Sequence, residues 1–107
     1  MLQISAKNLG TPALISIRDY ADKRFTKINR LVSKLSIDEN LFGIRLNVEF
    51  NRSKKEFAMK AIATIGGKTF IVEIVDKDFR KGIDIITDRI RRQILKDRDE
   101  SWLNYHN

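Results

Sequence analysis

A chain of 107 residues with a net charge of +7 is the size of a single domain and strongly basic. Its 42% apolar share is ordinary for a folded protein, and no apolar run reaches the ~20 residues of a bilayer span, so disorder and a membrane helix are excluded. The absence of cysteine rules out disulfides and thiolate metal sites, and "MLQISAKNLG" lacks the apolar stretch of a secretory signal, so a cytoplasmic location is expected.

In chain order, "LQISAKN" alternates Leu2, Ile4 and Ala6 against Gln3, Ser5 and Lys7, the period of a half-buried strand. Thr11-Pro12 then offers an N-cap and a first-turn proline. Leu14, Ile17, Ala21, Phe25, Ile28, Val32 and Leu35 follow at helical spacing, which predicts one amphipathic helix ending near Leu35. "SIDEN" is a loop. "FGIRLNVEF" is the clearest strand, with Phe42, Ile44, Leu46, Val48 and Phe50 on one face and Gly43, Arg45, Asn47 and Glu49 on the other. "EFAMKAIAT" reads as its hairpin partner across the charged turn "NRSKK". Gly66-Gly67 makes a second tight turn into "TFIVEIVD", where Phe70, Val72 and Ile74 share a face. Asp78 is the predicted N-cap of a second helix marked by Phe79, Ile83, Ile86, Ile90 and Ile94. "SWLNYHN", which holds Trp102 and His106, has no usable period and is expected to be a short tail over 101–107, after a domain spanning 1–100.

The order β-α-β-β-β-α predicts an α+β two-layer sandwich: a four-stranded sheet with two helices side by side on one face. Its strand-strand-strand-helix core resembles that of double-stranded-RNA-binding domains.

The placement of charge says more than its total. Residues 17–34 hold six basic and two acidic side chains, residues 77–98 hold eight and four, and the rest of the chain is net −1. Both helices therefore carry the whole excess, as "DRIRRQILKDRDE" shows most plainly. At about 100° per residue, Lys23, Lys27, Arg30 and Lys34 share one sector of the first helix. Arg89, Arg92 and Lys96 share a sector of the second, and Arg80, Arg91 and Arg98 another. Guanidinium groups donate paired hydrogen bonds to phosphate, so such a surface suits a polyanion, nucleic acid before anionic lipid. The plainer alternative is a solvated face on which Asp84 and Asp88 form ordinary surface ion pairs.

Catalytic and metal chemistry find little material. His106 is the only histidine, and a zinc site would need mostly carboxylates. "GGKT" at Gly66 to Thr69 lacks the first glycine of a phosphate loop, where Ile62 stands, and joins strands instead of opening a helix. "NRS" at Asn51 is a glycosylation triplet of no consequence in a cytoplasmic chain. No enzyme activity, small-molecule substrate, cofactor or metal is expected. Phe42, Phe50, Phe57 and Phe70 all fit the inward face of the sheet, so the outward face (Arg45, Asn47, Glu49, Lys60 and Glu73) is no base-stacking platform. The basic helices are the better contact, reading backbone and shape.

"DKDFRKGIDIITDRIRRQILK" resembles the signature helix of the bacterial ribosome hibernation factors, also called ribosome-associated inhibitors or hibernation-promoting factors. The family pattern is D-M-Y-x-A-I-D, four residues, then K-L-x-R-Q-L-x-K. Asp78, Ile83, Asp84, Arg89, Ile90, Arg92, Gln93, Ile94 and Lys96 match it or substitute conservatively. "IRDYADKRFTKI" adds Arg18, Arg24, Phe25, Lys27 and Ile28, and the resemblance covers about residues 2–98. Arg80 replaces the family tyrosine and Gly82 its alanine; the glycine should cost the helix about 1 kcal/mol. The resemblance implies a ribosome-binding domain that occupies the decoding channel of the small subunit and blocks messenger and transfer RNA in stationary phase or stress. By position it makes Arg24, Lys27, Arg89, Arg92 and Lys96 contacts to ribosomal RNA. The helical-face argument adds Lys23 and Arg30, and Arg80 is a further phosphate contact. The implied partners are the small subunit, its RNA and other hibernation factors, with no membrane. Length fits a short-form factor or the N-terminal domain of a longer one. The rival reading is a general binder of structured RNA without ribosome specificity.

Overall fold

The computed structural model describes the backbone of residues 2–106 and the side chains of residues 2–38 and 40–96. Side chains singled out above at Arg98, Trp102 and His106 lie outside the described residues. The elements are β1 (Leu2–Lys7), α1 (Thr11–Lys34), a 3-10 turn (Glu39–Leu41), β2 (Phe42–Asn51), β3 (Glu56–Ile65), β4 (Lys68–Asp76) and α2 (Phe79–His106). This is the predicted β-α-β-β-β-α order.

The four strands form one sheet in sequence order. β1 runs parallel to β2, which demands a crossover, and α1 supplies it; the other two pairings are antiparallel hairpins. β2 and β4 therefore point the same way, and the helices that return across the sheet run parallel to each other. Alternation sends Ile44, Leu46, Val48, Met59, Ala61, Ala63 and Val72 to the helix side, where all are buried. Ile17, Ala21, Phe25, Ile28 and Val32 of α1 meet them, with Ile83, Ile86, Ile90 and Ile94 of α2. One face of each helix and one face of the sheet thus make a single core.

The turns have local causes. Gly66 (φ 56°) and Gly67 (φ 83°) both take the left-handed conformation of a two-residue hairpin turn, open to glycine at little cost. Asn51 Oδ1 accepts from the amides of Ser53 and Lys54, which folds "NRSKK" over. Asp78 caps α2 as expected, its Oδ1 accepting from Arg80 N at 2.9 Å. After α1, Ser36 (φ 57°) reverses the chain while Ile37 N donates to Val32 O, a left-handed helix stop.

One expectation is corrected. The cap of α1 is Gly10, not Thr11: Gly10 O accepts the first helical bond from Leu14 N, and no side chain caps the end. Thr11 is already helical, with Pro12 directly behind it, so its hydroxyl starts one residue too late for that role. The backbone also stays helical to His106, through most of the expected tail. The apolar period stops at Ile94, but the sequence contains no glycine or proline after Gly82, so nothing breaks the helix.

Gly82 finds its reason in packing. It is buried where α2 crosses the sheet, and a Cβ there would collide with Met59 Cε and lie 3.6 Å from Ile74 Cγ2. The propensity lost by omitting alanine is offset by the closer seat of α2 on β3 and β4. Because Met59 would yield at its flexible tip, the balance is a fine one.

Candidate nucleic-acid interface

The two basic helices pack directly on each other, so their outward faces join. Lys23, Lys27, Arg30 and Lys34 are all exposed on α1, on the side away from its buried stripe. On α2, Arg80, Arg89, Arg91, Arg92 and Lys96 are exposed as well. Of these, only Arg92 is in an ion pair with a described residue; Lys23, Lys27, Arg30, Lys34, Arg89, Arg91 and Lys96 are in none, and their charge is open to a ligand.

The remaining site residues are committed to other contacts in varying degree. Arg92 Nη2 lies 3.0 Å from Asp88 Oδ2 one turn earlier, an exposed pair worth a few tenths of a kcal/mol that a phosphate can displace. Arg80 stacks its guanidinium over Phe79 (4.9 Å to the ring centre) and Tyr20 (5.9 Å). That stacking orients the group and leaves its N–H edge exposed.

Arg24 is the exception. It is only 33% exposed, and its Nε sits 2.9 Å from Asp84 Oδ1 across the helix pair. The N–H is not aligned for a hydrogen bond, so the contact is one of charge. The same carboxylate oxygen accepts a 2.6 Å hydrogen bond from Tyr20 Oη. That bond to Asp84 pushes the Tyr20 phenol above its ordinary pKa, with burial and the Asp84 charge adding to it. Arg24, Tyr20 and Asp84 thus form a clasp between α1 and α2. Arg24 holds the interface together, whatever else it touches. The sequence reading missed this because each residue is unremarkable on its own helix. Their one shared signal is position, since all three sit at the flanks of the apolar stripes.

The opposite side of the molecule is different in kind. Phe42, Phe50, Phe57 and Phe70 point to the helix side, as expected. Phe57 stands 4.9 Å from Phe50 and 5.8 Å from Phe79, which meets Tyr20 at 6.3 Å, so these rings serve the interior. The open sheet face carries the expected Arg45, Asn47, Glu49, Lys60 and Glu73, with Lys60 and Glu73 paired at 3.9 Å. It also carries Ile62, Ile71 and Val75, which the reading by alternation passed over; Ile71 is 55% exposed and Val75 63%. The apolar residues of "FIVEIV", interrupted only by Glu73, were the available signal. No helix is long and apolar enough to cross a membrane among the described residues.

Fold and surface together define an α+β domain that gathers unpaired cations on two adjoining helices and keeps its described aromatic rings on the core side. Its family is a ribosomal one: the chain belongs to the sigma 54 modulation protein / S30EA ribosomal protein family, whose pattern matches residues 2–101. It is accordingly a ribosome-associated modulation factor, as the α2 motif implied. Among solved structures, a ribosomal subunit interface protein from Coxiella burnetii is similar at 18% identity and TM-score 0.66, over 92% of this chain and 97% of that one. The N-terminal domain of Thermus thermophilus Protein Y is similar at 20% identity and TM-score 0.65, over 86% of this chain and 91% of that one. At such identities the likeness is one of fold.

Proposed function

We propose that this protein acts in the cytoplasm as a hibernation factor: it lays the joined faces of α1 and α2 on ribosomal RNA in the decoding channel of the small subunit and excludes messenger and transfer RNA. The observation that carries the reading is the set of exposed cations with no described ion-pair partner on the two packed helices, Lys23, Lys27, Arg30, Arg89 and Lys96 among them. Arg92 and Arg80 extend it, being exposed and only loosely held. Arg24 enters as a residue that fixes the helix pair and lends its outer edge to the ligand.

The mechanism is steric and electrostatic. Each phosphate neutralised releases condensed counterions, so affinity falls steeply with salt. Parallel helices held by the Tyr20–Asp84–Arg24 clasp keep the cations at fixed spacing, which suits a folded RNA surface of fixed shape. With its described aromatic rings turned to the core, the domain reads shape and backbone, not bases. No step requires bond making or breaking.

Co-sedimentation with purified small subunits across a salt series, with and without messenger and initiator transfer RNA, tests the proposal. Saturation near one copy per subunit, abolished when those RNAs are bound first, is the expected result. Binding that ignores those RNAs and is equal on any RNA duplex would reduce the protein to a general binder of structured RNA. Absence of binding at low salt would remove the reading altogether.

A further inference from the structure

The sheet has two free edges, and they are built differently. β1 is six residues long and largely polar on its open face, the usual protection of an edge strand. β4 is nine residues long, has no proline, and exposes Ile71 and Val75. Its hydrogen-bonding groups can be assigned from the turn. Ile65 and Lys68 flank the two-residue Gly66-Gly67 loop and pair with each other, so Lys68, Phe70, Val72, Ile74 and Asp76 bond to β3. Thr69, Ile71, Glu73 and Val75 therefore turn their N–H and C=O groups to the open edge.

We propose that β4 is a self-association edge, on which a second copy of this chain adds its own β4 antiparallel about a two-fold axis at Val72. Val72 is the central residue of the strand, so this register alone pairs all nine residues. It sets Lys68 of each copy opposite Asp76 of the other, giving two opposite-charge pairs. Thr69 falls opposite Val75 and Ile71 opposite Glu73, and these are the residues whose backbone groups face outward. Moving the axis to Glu73 would bring two like charges together, and moving it to Ile71 would leave Asp76 without a partner.

The helices permit the arrangement. A Cβ on Gly82 of α2 would meet Met59 of β3 and Ile74 of β4, and α2 packs on both strands, so it lies over that pair. Its symmetry mate would lie two strand spacings away, about 10 Å, close to the usual helix–helix distance. Arg89 is on the flank of α2 that Gly82 also occupies, about 20° apart around the helix. It faces its own copy, and this repulsion opposes pairing; salt screens it together with the two Lys68–Asp76 attractions, so the dimer depends on salt far less steeply than RNA binding does.

Sedimentation equilibrium from micromolar to millimolar protein, with amide hydrogen exchange at both ends of the range, tests this. The expected result is a monomer–dimer equilibrium in which the amides of Thr69, Ile71, Glu73 and Val75 slow at high concentration while β1 is unchanged. Lys68→Asp should weaken the dimer about tenfold, and Lys68→Asp with Asp76→Lys should restore it. A monomer at every concentration overturns the proposal, as does a dimer whose β4 amides gain no protection. Because the exchange arm uses the unmodified chain, it decides the matter even if the Asp76 variant folds poorly; failure of the double variant to rescue in a folded protein overturns the Val72 register.

Discussion

The helix face and the open sheet face are both solvent-exposed, both bear charge, and do different things with it. On the helices, cations outnumber anions and several have no partner among the described residues. On the sheet, Arg45, Lys60, Glu49 and Glu73 are balanced, Lys60 and Glu73 pair, and Ile62, Ile71 and Val75 sit among them. The difference teaches that net charge is not what makes a polyanion site. A basic protein can carry its excess evenly and bind nothing well. Here it is collected on one layer of the sandwich, and the other layer is left neutral and partly apolar, a surface suited to protein contact.

The comparison breaks most visibly if the helix cations are removed. Replacing Lys27, Arg30, Arg89 and Arg92 with alanine should flatten the slope of log affinity for the small subunit against log salt by about 4, with an unchanged melting temperature. A slope unaltered by this change would mean that RNA lies elsewhere. Next in size is the clasp: Asp84→Ala removes the acceptor of Tyr20 and the partner of Arg24, at about 1 kcal/mol, since both charged groups are partly exposed. Thermal denaturation reads it, and Arg24→Gln should cost less, because Tyr20 keeps its hydrogen bond to Asp84.

Tyr20 gives a pH prediction with a definite sign. Its phenol titrates above its ordinary pKa of 10.0 in the fold, so the unfolded chain ionises first. The stability this group contributes is present below that value and is lost as pH rises from there toward the folded pKa. Tyr20→Phe should lose this alkaline dependence, which urea titrations at pH 9 and above would show. The smallest effect is on the sheet. Glu73→Lys raises the net charge by two, yet ribosome affinity at moderate salt should change less than twofold, because the added charge lies on the wrong layer. A large gain in a binding assay would dissolve the distinction between the faces.

Much of this was legible beforehand, for reasons that particular residues make clear. Alternation in "FGIRLNVEF" and the spacing from Ile17 to Val32 are short-range consequences of strand and helix geometry, and they gave the elements and the core directly. That most helix cations are exposed was legible because an ionised side chain stays in water unless it is paired. Arg24 was only half read: its motif match marked it as a contact, while its tie to Asp84, 60 positions on, is invisible without the other helix. Gly82 read as a local defect until Met59 was placed beneath it. Ile71 and Val75 escaped because a stretch rich in apolar residues reads as buried, and only the packing of both helices on one side of the sheet shows that no described residue covers the outer face of β4.

Sequence by itself determined the elements, their buried faces and the helices that carry the excess charge, because each of these follows from periodicity within a dozen or so neighbouring residues. Tertiary structure alone decided which cations remain unpaired, which glycine is a contact and which strand is left at an edge. Those properties belong to pairs of residues far apart in the chain. They exist only once β1 has paired with β2, α1 and α2 have come to lie parallel, and one face of β4 has been left open to solvent.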